Sequence, residues 1–212
     1  MELYIDETKV DIDLPASEPL ENVLRHSQAK LYEAGRLVVG LRCDGNEVPA
    51  DEMADTLKRQ ASSFERLDVL TSTKYELVAD AMDQAAVSLT QTEEACQRIA
   101  DGFTEGKTSE SMRALGDCLS VWRQIHEAIG KSIAILEIDP RTALVGGEPL
   151  VDVVNKPMDV LLRVKEALQS QDHVLLADTL KYEFSEVAQQ WQDVIANIQG
   201  RAQSSVQSGD AS

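Results

Sequence analysis

His126 is the residue in this chain whose type and position come closest to chemistry. It lies in "VWRQIHEAIGKS", inside a stripe of Leu115, Leu119, Trp122, His126, Ile129, Ile133 and Leu136 that recurs at alternating steps of four and three. An imidazole titrates near neutral pH and can ligate metal, shuttle a proton or accept a phosphoryl group. A second helical stretch, "ADTLKYEFSE", supplies Asp178, Glu183 and Glu186. His126 with Asp178 and Glu183 is therefore the candidate centre of a metal- or ligand-binding helical enzyme. Three observations weigh against it. The basic residue that usually follows a phosphoryl-accepting histidine is replaced by Glu127. Carboxylate di-metal bundles use Glu-x-x-His on two helices, and that motif is absent. A histidine in an apolar stripe beside Trp122 reads more simply as a buried or half-buried side chain satisfied by a polar neighbour. Glu183 and Glu186 flank the stripe Leu180, Phe184 and Val187 and read as solvated.

Other chemistries leave no local mark. There is no G-x-S-x-G, no G-x-x-x-x-G-K-[ST] and no G-x-G-x-x-G, and "GLRCDG" has the wrong spacing for a phosphate loop. Cys43, Cys96 and Cys118 are odd in number and widely spaced, which predicts neither a disulfide framework nor a zinc site. Cys96 and Cys118 fall in predicted helices as small apolar fillers. No cofactor and no metal are implied.

Charge narrows the partners. Against 37 acidic residues stand 20 basic ones, a formal net charge of −17. Such a field repels nucleic-acid phosphates and anionic lipid and favours basic partners. "MELYIDETKV" lacks the basic start and apolar run of a signal peptide, and no window approaches a membrane span. The expected location is the cytoplasm.

The elements that would hold these residues fall into two sets. "MELYIDETKVDIDL" alternates on a period of two, with Leu3 and Ile5 on one face and Val10, Ile12 and Leu14 following a turn near Glu7 and Thr8. Ser17, Glu18, Pro19 and Glu21 mark a helix start, and Leu20, Val23, Leu24, Ser27 and Leu31 form its stripe. A strand from Arg36 to Arg42, an Asp44-Gly45 turn, a short strand at Glu47-Val48, a short helix from Asp51 and a strand over 65–72 complete the set.

Beyond Ser72 the pattern becomes helical. Thr73 and Glu76 stand at capping-box spacing, ahead of the stripe Val78, Met82, Ala85, Leu89, Cys96, Ile99 and Phe103. The His126 helix follows and ends before Asp139-Pro140. After a loop over 139–149, a third helix carries Val153, Val154, Leu161, Val164 and Leu168, with Pro157 either kinking it or sitting in a first turn capped by Asn155. Asp172 caps the fourth, with Leu176, Leu180, Phe184, Val187, Trp191, Val194 and Ile198. The small polar stretch 203–212 reads as a disordered tail.

The order hairpin, helix, strand, turn, short strand, short helix, strand resembles ubiquitin and the β-grasp family. "EPLENVLRHSQAKLYEAGRLVVGLRCDGNEV" stands where that fold has its main helix and third and fourth strands. The resemblance implies a fold and not conjugation, because modifiers of that family end in a free Gly-Gly, whereas here the chain runs on. Gly146-Gly147 falls in a loop. The expectation is an α+β chain: a β-grasp domain at 1–72 and an antiparallel four-helix bundle at 73–202. Its expected function is non-catalytic: an interaction or adaptor protein, chaperone-like, that binds a basic or amphipathic helical protein partner. Pairing of the bundle with a second copy in a homodimer stays open.

Overall fold

The computed structural model describes residues 1–11, 15 and 17–209. It is a mixed α+β chain with an N-terminal five-stranded sheet and a mostly helical remainder. Two compact units divide after Leu77.

In the first unit, β1 (Glu2–Ile5) and β2 (Thr8–Val10) form an antiparallel hairpin with Leu3 opposite Val10. The turn is Asp6-Glu7, one residue earlier than the alternation predicts, and both residues have positive φ. Ile12 and Leu14 lie outside the described residues. Helix α1 (Leu20–Glu33) buries the predicted stripe of Leu20, Val23, Leu24, Ser27 and Leu31. It starts at Leu20 rather than at a Ser17 cap, because Pro19 is tied to Gln60 by a β-bridge and the Leu20 N–H donates to the Arg59 carbonyl.

The other strands are β3 (Arg36–Cys43), β4 (Asn46–Glu47) and β5 (Arg66–Thr73), with a short α2 (Met53–Leu57) between β4 and β5. The sheet order is β2-β1-β5-β3-β4. The central strand β5 runs parallel to β1 and antiparallel to β3, so that Leu67 meets both Leu3 and Cys43 and Val69 meets both Ile5 and Leu41. These residues and the α1 stripe form one core. At the β3–β4 turn, Asp44 and Gly45 have φ of 51° and 83°. The Asp44 carboxylate also accepts from the backbone N–H groups of Glu65 and Arg66, both at 2.8 Å, which fixes the turn to the start of β5.

The helical part opens with α3 (Lys74–Thr104), whose predicted stripe is buried throughout. Helix α4 (Thr108–Ile135) departs from expectation. Its buried column is Ser111, Leu115, Cys118, Trp122, Ile125, Ile129 and Ser132, so Leu119, His126 and Ile133 lie at the flank. The stretch read as a loop contains a small hairpin, β6 (Leu144–Val145) and β7 (Glu148–Pro149), turned by Gly146 and Gly147 at φ of 59° and 86°.

Helix α5 (Leu150–Ser170) begins upstream of Val153, so Pro157 is interior and buried, and Asn155 is not a cap. With no N–H at Pro157 the Val153 carbonyl loses its helical donor. Val160 and Ala167 are buried where Leu161 and Leu168 were expected to be most covered. Asp172 caps α6 (His173–Asp178), its Oδ1 accepting from the N–H groups of Val174 and Leu175.

Residues Thr179–Glu183 then form a π turn that leads into α7 (Phe184–Gly209). Within this turn the Gln97 side-chain amide donates to the Lys181 carbonyl at 3.0 Å, and it donates also to Ser185 Oγ at 3.2 Å. Helix α7 continues through 203–209, which corrects the expected tail there; 210–212 lie outside the described residues. A second core joins α3, α4, α5, α6 and α7. Among the described residues no helix is long and apolar enough to cross a membrane.

Candidate functional site

The flank displacement of α4 and α5 leaves a cavity of about 320 Å³ between α4, α5 and α7. Its floor is aromatic. Trp122 meets Trp191 at 4.8 Å between ring centroids and Phe184 edge-on at 5.1 Å. Leu119, Val154, Pro157, Met158 and Leu161 line the remaining apolar wall, and Arg123, His126 and Asn155 add polar atoms.

Each lining residue owes its place to local sequence. Phe184 follows the π turn directly, so the extra residue sets which way the first turn of α7 faces. Pro157 lies among the α5 residues that wall the cavity. Asn155 donates to the Val151 carbonyl at 2.8 Å, which holds its amide along the helix. His126 is exposed, with its ring stacked over Trp191 at 5.9 Å and 24° between planes. This corrects the buried or half-buried position that the α4 stripe predicts: the helix buries Ile125, and the imidazole lies outside the buried column.

The predicted trio is not assembled. Asp178 is exposed, and neither it nor Glu183 lines the cavity that holds His126. Glu183 is engaged by Arg163 at 2.7 Å, and Arg123 faces Glu127 at 3.8 Å. Among the described residues no group of three or more His, Cys, Asp or Glu side chains could hold a metal ion. Neither of the two remaining histidines lines this cavity, and His173 stacks on Phe103.

Two indole N–H groups are buried without a hydrogen bond, Trp122 Nε1 and Trp191 Nε1. A buried donor left unpaired is costly, and Trp191 is also a wall of the cavity. Chemically the arrangement can take up an apolar or aromatic group.

Sequence reasoning identified Trp122, Phe184 and Trp191 only as stripe residues and missed Met158 and Arg123. One signal was available. Met158 and Leu162 are apolar, four residues apart, and outside the stripe 153, 154, 161 and 164; both are exposed, at 61% and 51%.

Comparison with known families divides the chain as its fold does. A model described as the TP0873 N-terminal domain matches residues 1–73. No curated protein and no solved structure matches the chain. Residues 80–194, which include every wall of the aromatic cavity, match the model described as Domain of unknown function (DUF8042), and the chain belongs to that family.

Proposed function

We propose that this chain is a non-catalytic interaction protein whose helical part receives an apolar anchor from an amphipathic, basic helix of a protein partner. The observation that carries the reading is the aromatic cavity opening beside Met158 and Leu162. Exposed apolar side chains one helical turn apart, next to a preformed pocket, are the pattern of helix-in-groove recognition. The net charge of −17 favours a basic partner face and would speed encounter.

The finer architecture belongs to the same proposal. The strand order β2-β1-β5-β3-β4, with a helix after the first hairpin, supports a β-grasp head. The shared core of α3, α4, α5 and the α6–α7 rod supports a four-helix bundle. A cytoplasmic setting and an adaptor, chaperone-like role belong to the same proposal.

Both tryptophans of the chain are in the cavity wall, so intrinsic fluorescence reports occupancy. Titration of the full chain with a Leu/Lys amphipathic helical peptide should shift the emission saturably, and Met158→Arg should weaken binding at least ~10-fold. Binding that Met158→Arg leaves unchanged, or that vanishes at moderate salt without any emission shift, would mean a surface charge effect and refute the reading. A mass that doubles with concentration and is sensitive to the same substitution would assign the face to a second copy instead.

A second reading is favoured by one observation, the aromatic lining of the preformed cavity. A small apolar or aromatic molecule would fill it, with His126 in its wall. Native mass spectrometry of the freshly purified chain separates the two, since this reading requires a co-purifying small molecule.

A further inference from the structure

We propose that Cys96 and Cys118 form an oxidation site, in which a hydroperoxide converts the two thiols to a disulfide joining α3 to α4. This inference is independent of the aromatic cavity. The two sulfurs lie 3.2 Å apart, and both side chains are buried, at 1% and 4% exposure. Both cysteines are free. A disulfide needs a sulfur separation of about 2.0 Å, so the pair must close by roughly 1.2 Å from its present 3.2 Å. The two helices come close a little further along, where a Cβ on Gly102 would stand 2.4 Å from Ser111 Oγ.

Access comes from one side. Cys118 lines an open groove of about 700 Å³ along α3 and α4, whose walls include Gln91, Arg98 and Asp117. A peroxide is small enough to enter such a groove, and Cys96 is not among the groove's walls. The sulfurs therefore have different roles. Contact with the Cys96 sulfur holds the Cys118 thiol below its ordinary value, against the opposing effect of burial. The same contact, reinforced by burial, pushes Cys96 up. Because Cys118 is the sulfur that lines the groove, it is the attacking one and Cys96 the resolving one.

The step balances. The Cys118 thiolate attacks one peroxide oxygen, the O–O bond breaks, and the leaving oxygen takes a proton and departs as water or an alcohol. Cys118 is left as a sulfenic acid. The Cys96 sulfur then attacks the Cys118 sulfur, the S–O bond breaks, and the hydroxide leaves as water with the Cys96 proton. Two thiols are oxidised and one peroxide is reduced.

Cys43 is an internal control. It is buried in the sheet unit, and burial, with Asp44 adding to it, pushes its thiol up. The test is peroxide treatment of the reduced full chain, followed by thiol counting, intact mass and peptide mapping. The expected result is simultaneous loss of two thiols and two hydrogens, a crosslinked peptide pair carrying Cys96 and Cys118, and an intact Cys43. In Cys96→Ser, dimedone should label Cys118; in Cys118→Ser, Cys96 should stay unlabelled. Tryptophan emission of both variants verifies folding, and a variant that fails to fold is replaced by the corresponding alanine. Three thiols surviving in the folded chain, a link through Cys43, or dimedone on Cys96 would each overturn the proposal.

Discussion

The junction where β5 hands over to α3 rests on a reciprocal cap, and its contribution can be taken apart with three substitutions. Thr73 Oγ1 accepts from the Glu76 N–H at 3.1 Å, while Glu76 Oε2 accepts from the Thr73 N–H at 2.7 Å and from Ser72 Oγ at 3.2 Å. Thr73→Ala removes the N-cap acceptor and should cost about 1 kcal/mol. Glu76→Ala leaves the half-buried Thr73 N–H without an acceptor, and a bond to a charged group in a partly exposed site is worth about 1–2 kcal/mol. Glu76→Gln keeps an acceptor oxygen and loses only the charge facing the helix N-terminus, about 0.3–1 kcal/mol. The bond from the Thr73 N–H holds the Glu76 carboxyl below its ordinary range, against the effect of burial and with help from the Thr73 hydroxyl, Ser72 and Arg36. A depressed carboxyl contributes stability that is complete above its unfolded-state value and disappears as the pH falls through its lower folded value. The gap between wild type and Glu76→Gln should therefore be present at pH 7 and close in acid. Urea unfolding followed by Trp122 and Trp191 emission gives the midpoints. Equal losses for Glu76→Gln and Glu76→Ala at pH 7, or a gap that persists below the folded value, would refute the cap as the cause.

The remaining predictions concern other single contacts. Asp44→Ala removes the acceptor shared by the Glu65 and Arg66 N–H groups and should lower stability by about 1–2 kcal/mol, seen as faster amide exchange at the start of β5. Gly45→Ala, at φ of 83°, should cost about 1 kcal/mol in the same assay. Gln97→Ala strips the donor from the Lys181 carbonyl and should lower the fluorescence-detected midpoint by the equivalent of about 1–2 kcal/mol. Arg163→Ala breaks an ion pair whose arginine is 58% exposed, and should leave the urea midpoint close to that of the wild type. A larger loss would mean that Glu183 is held for a purpose beyond stability.

Local signals were readable wherever one residue type is demanded by one backbone state. The Asp44-Gly45 turn, the Thr73/Glu76 cap, the Asp172 cap and the α1 and α3 stripes all appear where the residues place them. The misreadings share a cause. In α4 the columns 118/125/132 and 119/126/133 flank the shared column 115/122/129, one at steps of three and the other at steps of four from it, and both steps keep a residue on one helix face. Spacing alone therefore leaves the two columns nearly equivalent. Packing decides between them, and it buries the one containing the small residues Cys118 and Ser132. The π turn left only a faint trace: Leu176, Leu180 and Phe184 are separated by two successive steps of four where steps of four and three should alternate.

The same displacement explains why a cavity exists at all. In α4 and in α5 the helix turns one position away from its leucine column, burying Ile125 and Cys118 in one and Val160 and Ala167 in the other. Leu119, His126 and Leu161 are thereby moved to the edges of the core, where they wall a space instead of filling it. The π turn leads directly into Phe184 at the same place, and the Gln97 side chain bonds the Lys181 carbonyl within that turn. A bundle selected only for tight packing would place Leu119 and Leu161 inward and need no π turn. Removing it by deleting one residue within 179–183 should restore an unbroken α-helix and rotate the preceding turn by about 100° relative to α7. The deletion should then abolish the peptide-induced emission shift while leaving helicity by circular dichroism unchanged. A deletion variant that keeps both the shift and its affinity would show that the widened turn has no part in shaping the pocket.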